Sequence, residues 1–413
     1  MLQEVALGPK TLADYTHIVG KELTEQIRQL SEPLKGKRVL HVSATAFGGG
    51  VSEILYTLVP LMRDVGVDAH WHVIFGKEEF YNATKLLHNS LQGAEETLSD
   101  DQWEIFDDIN RINAEGLQGE WDVVIVHDPQ PIGLLRGAKA KGKHWVWRCH
   151  IDLSTPNPAP IARLLPMIEE YDASVWHMEK YVPDGMGQHR DEVRICPPAI
   201  DPLSPKNMAF SPEDAAFVCR QFGIDVDRPL ITQVSRFDPW KDPIGVIDAY
   251  RQVTERVPEA QLAMVGSMAT DDPEGMEYFQ KTFEYADGDE DIKILSNLNN
   301  VGAIEVNAFQ SQSDVCLQKS IREGFGLTVT EALWKGRPTI AGNVGGIPLQ
   351  IEDGVSGFLV DSPAQCAERS LEILGDPELG KTLGRQGKEH AREHFLTPRL
   401  LRDWLKLFGD LDG

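Results

Sequence analysis

Short apolar runs recur along the chain, each followed by a polar loop and a stretch with helical spacing. The first run is RVLHVS (38–43). After the loop 44–50, Val51, Ile54, Leu55, Leu58 and Met62 mark one buried helical face. HWHVIF (70–75), DVVIVH (122–127), HWVWRC (144–149), ASVW (173–176) and VRICPPAID (193–201) read as further strands with helical stretches between them. Strands alternating with helices predict βαβ units and parallel sheet.

The pattern restarts near residue 229. PLITQVSR (229–236), QLAMVG (261–266), DIKIL (291–295), DVCLQ (314–318), PTIAG (338–342) and GFLV (357–360) read as strands. Helices are predicted over 243–257, 274–287, 363–374 and 378–395. An amphipathic helix carrying Leu400, Leu401, Trp404 and Leu407 ends the chain and is expected to strap back onto the first half. The stretch PPAIDPLSPKN (197–207) has no periodicity and marks the boundary. The reading is an α/β chain of two Rossmann-like, doubly wound parallel sheets. Residues 1–200, with 396–413 crossing back, form the first, and 201–395 form the second. Ligands in such folds bind beyond the carboxyl ends of the strands, here in an expected cleft between the two domains.

Length and charge narrow the options. A chain of 413 residues suits two cores. The formal charge of -24 repels polyanions and disfavours nucleic acid as the partner. It leaves room for a small phosphate held by local cations and helix amides. No window of about 18 apolar residues predicts a membrane span, and the amino-terminal residues do not read as a secretory signal, so the cytoplasm is expected. Cys149, Cys196, Cys219, Cys316 and Cys366 show no CxxC spacing and read as buried apolar residues. Trp71, Trp145, Trp147, Trp176 and Trp240 read mostly as core. His70 and His72 share a strand face, but the sequence shows no third ligand beside them, and no metal site is expected.

The most specific signal is Glu323-Gly-Phe-Gly-Leu-Thr-Val-Thr-Glu331, after the strand DVCLQ and at the start of a helix. Gly324 and Gly326 allow close backbone approach. The amides of Gly326, Leu327 and Thr328 sit where a helix favours phosphate. A carboxylate on either side can accept hydroxyl hydrogen bonds. The second signal is SRFDPWKDP (235–243), in which Arg236 and Lys241 can converge on a diphosphate and neutralise a leaving group. The third is Gly48, Gly49 and Gly50 between the first strand and helix, a weaker sign of a backbone-lined anion or sugar site. Solvated side chains in ordinary turns are the alternative for each.

With GGIPLQIEDGVSGFLV (345–360), these segments make the whole chain resemble the family 4 retaining glycosyltransferases of the GT-B fold. The resemblance implies that Arg236 and Lys241 bind the donor diphosphate. It places the donor sugar at Glu323 and the Gly324, Phe325 and Gly326 backbone, phosphate at the Leu327 and Thr328 amides, and ribose at Glu331. FGGGVSEIL (47–55), VHDPQP (126–131) and WRCHIDLS (147–154) are similar to trehalose glycosyltransferring synthases. That likeness puts His150 near the donor sugar and makes Asp128, Gln130 and, more weakly, Asp152 acceptor-binding candidates.

The reaction so implied moves glucose from ADP-, UDP- or GDP-glucose to free glucose, giving or reversibly cleaving α,α-trehalose. No carboxylate stands out as a covalent nucleophile, so front-face attack is implied. No cofactor or metal is required, and Mg²⁺ stimulation and a homodimer are left open. The rival readings are a sugar-phosphate or phosphoglycerate acceptor, a retaining trehalose phosphorylase, and a non-catalytic sugar-binding protein.

Overall fold

The computed structural model describes residues 2–188, 192–267 and 273–412. The chain divides into two compact units, 1–199 with 397–413, and 200–396.

The first unit holds a seven-stranded sheet. Its strands are β1 (Gln3–Glu4), β2 (Arg38–Ser43), β3 (Asp68–Val73), β4 (Trp121–His127), β5 (Gly142–Arg148), β6 (Ala173–Trp176) and β7 (Val193–Ile195). The order is β1-β3-β2-β4-β5-β6-β7. All pairs are parallel except β1–β3. The central strands are continuous apolar runs because helices cover both faces. Trp71, Trp145, Trp147 and Trp176 are fully buried, whereas Trp240, in the second unit, is exposed. The run 193–201 is shorter as a strand than its apolar residues imply. Pairing stops at Ile195, and Pro197 and Pro198 follow, which cannot donate to a ladder.

The terminal helix Thr397–Asp410 packs on the helices Lys21–Ser31 and Gly50–Asp64. Its buried Arg399 donates to the carbonyls of Pro197 and Pro198, both at 2.8 Å. Leu401 is fully buried in this packing, and truncating such a side chain costs about 2–5 kcal/mol.

The second unit is an all-parallel sheet of β8 (Leu230–Val234), β9 (Gln261–Gly266), β10 (Ile292–Ser296), β11 (Val315–Gln318), β12 (Thr339–Gly342) and β13 (Phe358–Val360). Its order is β10-β9-β8-β11-β12-β13. Strand order reverses between β8 and β11 here and between β2 and β4 in the first unit. In doubly wound sheets, loops part at such a switch point, which is where ligands generally bind. All five cysteines are buried and unbridged. Among the described residues, no helix is long and apolar enough to cross a membrane.

Candidate active site

In the second unit, the loop after β8 meets the loop after β11. Asp238 organises the first loop by accepting from the amides of Trp240 at 3.0 Å and Lys241 at 3.1 Å. Asp242 follows with φ 48° and caps the helix Pro243–Thr254, accepting from the Gly245 amide at 3.1 Å. Proline at the first helical position fits this entry. The turn aims Lys241 at Glu323, Nζ to Oε2 2.5 Å, with side chains only 14% and 10% exposed. Ser320 Oγ donates to the same Oε2 at 3.2 Å.

Gly326, at φ 81°, caps the helix Leu327–Trp334 and has no side chain to offer its first amides. The Val329 amide turns back to the Gly326 carbonyl at 2.9 Å, and no side chain caps the amides before it. A Cβ at Gly326 would lie 3.2 Å from the Glu323 side chain. Arg236 pairs with Asp238 at 3.2 Å, but its side chain is 61% exposed and it does not join the Lys241–Glu323 pair. Phe325 is buried against Phe395, with ring centroids 5.5 Å apart, so its side chain belongs to the core. Thr328 Oγ1 donates to Gln318 Oε1 at 3.0 Å. Glu331 is buried and paired with Lys206 at 3.4 Å.

Two further residues fix these loops. Buried Gln233 on β8 donates to the Lys241 carbonyl at 3.0 Å, and its Oε1 accepts from the Lys319 amide at 2.9 Å. Lys319 is buried and paired with Asp242. Sequence reading missed both. Gln233 reads as one polar residue in a strand, and its partners lie 8 and 86 residues away.

In the first unit, histidines form a hydrogen-bonded row across β2, β4 and the end of β5. His41 Nδ1 lies 2.9 Å from His127 Nε2, and His127 Nδ1 lies 2.9 Å from His150 Nε2. His177 meets the His150 ring edge-on at 5.6 Å. Burial pushes His41 down to about 3 and holds His127 and His150 well below the usual histidine range. All three are neutral at pH 7, and each donates through one ring nitrogen only.

Asp128 adopts φ 65°. Its Oδ1 accepts from the His150 amide at 2.7 Å. It therefore orients the β5 end. Desolvation pushes its carboxyl up to about 7, against the pull of that amide and of Arg148. Gln130 is half-buried; its carbonyl accepts from Asn110 at 3.0 Å, and its side-chain Oε1 is buried without a protein partner. Asp152 is buried and accepts from the Ser154 amide at 2.8 Å. Gly48 has φ 82°, and no atom lies within 4 Å of a Cβ built at Gly48 or Gly49. Gly50 begins the helix Gly50–Asp64. Burial raises the Cys149 thiol well above its usual range, which suits a core residue and no nucleophile. His41 and His127 escaped the sequence reading because inward positions of a strand read as core.

His70 and His72 also differ from expectation. β1 pairs with β3 and brings Glu4 to them. A strand of two exposed polar residues, Gln3 and Glu4, has no hydrophobic signature to betray it.

Residues 41–183 match the trehalose synthase N-terminal domain family, and residues 217–390 match the glycosyl transferases group 1 family. A trehalose synthase of Rubrobacter xylanophilus is 56% identical over 419 residues, covering 100% of both chains. A trehalose synthase of Thermococcus litoralis is 49% identical over 402 residues, covering 97% of each. The fold is similar to that of a UDP-forming α,α-trehalose-phosphate synthase of Burkholderia xenovorans, with TM-score 0.72 and 16% identity over 91% of this chain and 99% of that one. The chain is a GT-B glycosyltransferase and belongs to the trehalose synthase family.

Proposed function

We propose that this enzyme transfers glucose, with retention, from a nucleoside diphosphate glucose to the anomeric hydroxyl of free glucose, forming α,α-trehalose, and that it does so in the cytoplasm. The observation that carries the donor half is the meeting of Lys241 and Glu323 beside the uncapped start of the helix Leu327–Trp334. Full-length likeness to trehalose synthases supports the acceptor.

In this reading the diphosphate lies against the amides of Gly326, Leu327 and Thr328. Lys241 and Arg236 neutralise the charge that grows as the donor C1–O bond breaks. Each exchanges part of a carboxylate contact for phosphate, so neither cation is stripped of a partner without replacement. Glu323 and the backbone of Gly324 and Phe325 accept from and donate to the glucose hydroxyls. Glu331 accepts from the ribose, sharing its carboxylate with Lys206.

Acceptor groups come from the first unit. Asp128 and Gln130 hold hydroxyls, Asp152 braces the loop, and neutral His150 contacts the donor sugar. Gly48, Gly49 and Gly50 let sugar or phosphate approach backbone. The acceptor oxygen bonds to C1 on the face the phosphate leaves, and the departing phosphate oxygen takes its proton. Positioning and charge stabilisation do the work. No metal is assigned to this step.

A sugar-phosphate acceptor is the weaker reading, because residues 44–52 and 126–133 contain no Lys or Arg. The test is incubation with ADP-, UDP- and GDP-glucose plus glucose, glucose 6-phosphate or 3-phosphoglycerate, and trehalose plus phosphate in parallel. Trehalose formed from glucose and one nucleotide sugar is the expected product. A phosphorylated disaccharide, a glycosylated glycerate or strictly phosphate-dependent cleavage sinks the reading.

A further inference from the structure

We propose that Glu4, His70 and His72 form a binding site for one divalent transition-metal ion of the zinc class, which clips β1 to the edge of the first unit's sheet. Alternation along β3 puts His70 and His72 on one face and sends Trp71 to the other, where it is fully buried and donates to Ser43 at 2.8 Å. Antiparallel pairing sets Glu4 opposite His72. One ligand atom from each of the three lies within 4.8 Å of the other two. Bonds of about 2.0–2.2 Å to a tetrahedral ion bring such atoms to roughly 3.5 Å. Rotation of the exposed Glu4 side chain can supply the difference. Imidazole and carboxylate donors together suit zinc and its neighbours better than magnesium or calcium.

The hydrogen bonds at His70 point the same way. Its Nδ1 lies 2.9 Å from Glu4 Oε1, and its Nε2 lies 3.1 Å from Asp68 Oδ1. A neutral imidazole has one N–H and cannot satisfy two carboxylates. Beyond its one N–H, a second proton or a metal ion is needed between the ring and one carboxylate. With a metal at Nδ1, Nε2–H donates to Asp68, the usual carboxylate–histidine–metal arrangement that fixes tautomer and ring orientation. His72 favours the metal. Its Nδ1 is buried with no protein partner, whereas a proton on His70 leaves His72 unused. Trp121 meets both rings edge-on, at 5.2 Å from His70 and 6.1 Å from His72, and limits how far they can turn away. Arg63 approaches Glu4 at 3.8 Å and competes for its carboxylate.

The test uses full-length protein without a polyhistidine tag, stripped with chelator and titrated with Zn²⁺ by calorimetry, with thermal unfolding in parallel. One ion per chain and a melting temperature that rises with Zn²⁺ are expected, because a ligand bound only to the folded state stabilises it by mass action. His72→Ala and Glu4→Gln are expected to weaken binding at least tenfold, while transfer activity without added metal stays at the wild-type level. Glu4 is on the edge strand and His72 on the strand beside it, and circular dichroism checks that the variants fold. Absence of saturable Zn²⁺ binding at about 100-fold chelator-free excess overturns the proposal. So does equal affinity in wild type and both variants, or a ring doubly protonated at His70 by ¹⁵N NMR in saturating Zn²⁺.

Discussion

The two switch points are built alike and charged differently. Beyond β8 and β11, cations and carboxylates meet as pairs: Lys241 with Glu323, Lys319 with Asp242, Arg236 with Asp238. On β2, at the end of β4 and just past it stand neutral histidines and one carboxyl whose charge is disfavoured by its surroundings. The first kind of site suits an anion whose charge grows during reaction. The second suits uncharged hydroxyls, which need donors and acceptors without a strong field. In the proposed reading, one strand-loop-helix plan serves a charged leaving group in one unit and a neutral sugar in the other.

Breaking the charged side is expected to have the largest effect. Lys241→Ala should lower transfer at saturating donor about 10²–10³-fold, the scale of losing one preorganised charge stabiliser, read from steady-state rates. Near-normal rates would remove Lys241 from the reaction. Glu323→Gln should lower kcat/KM for the donor by about 10–100-fold, the scale of a hydrogen bond to a charged group. A donor lacking the hydroxyl that Glu323 holds should show a smaller loss on this substitution.

The neutral side offers finer tests. Asp128 accepts best when ionised, and burial pushes its carboxyl up to about 7. Acceptor kcat/KM should therefore rise as pH passes through 7, and Asp128→Asn should flatten that limb while lowering the plateau by about tenfold. The buried histidines set stability. His41 falls to about 3 in the folded chain from 6.5, so the unfolded chain binds the extra proton. Its contribution is whole above pH 6.5 and is lost progressively as pH falls toward 3. By pH 5 the loss is about 2 kcal/mol, seen as a falling melting temperature that His41→Gln makes shallower. The smallest effect expected is that of Gly326→Ala. Its φ of 81° and the nearby Glu323 side chain predict about 1–2 kcal/mol of destabilisation.

Most strands were legible because buried parallel strands are continuous apolar runs. QLAMVG coincides with β9 and ASVW with β6. Residues 193–201 misled because Cys196, Ala199 and Ile200 are buried without extending β7. In the site, Lys241 and Glu323 were legible as members of two motifs, but not their contact, which spans 82 residues. Of the histidine row, only His150 was singled out, and the row itself was not legible. His41 and His127 are 86 residues apart, and only the β2–β4 register brings them together. Glu4 is the same case at a sheet edge. Periodicity reports which side of an element is buried, and it carries no information about which distant side chain shares that side.

The central claim is that a nucleotide-linked diphosphate docks at the start of the helix Leu327–Trp334 with Lys241 and Arg236 as its counter-ions. Calorimetric titration of ADP, UDP and GDP into the wild type and an Arg236→Ala/Lys241→Ala variant at low salt tests it directly. The account predicts saturable binding of at least one nucleotide, weakened about 100-fold or more in the variant. Equal affinity in the two proteins would contradict it.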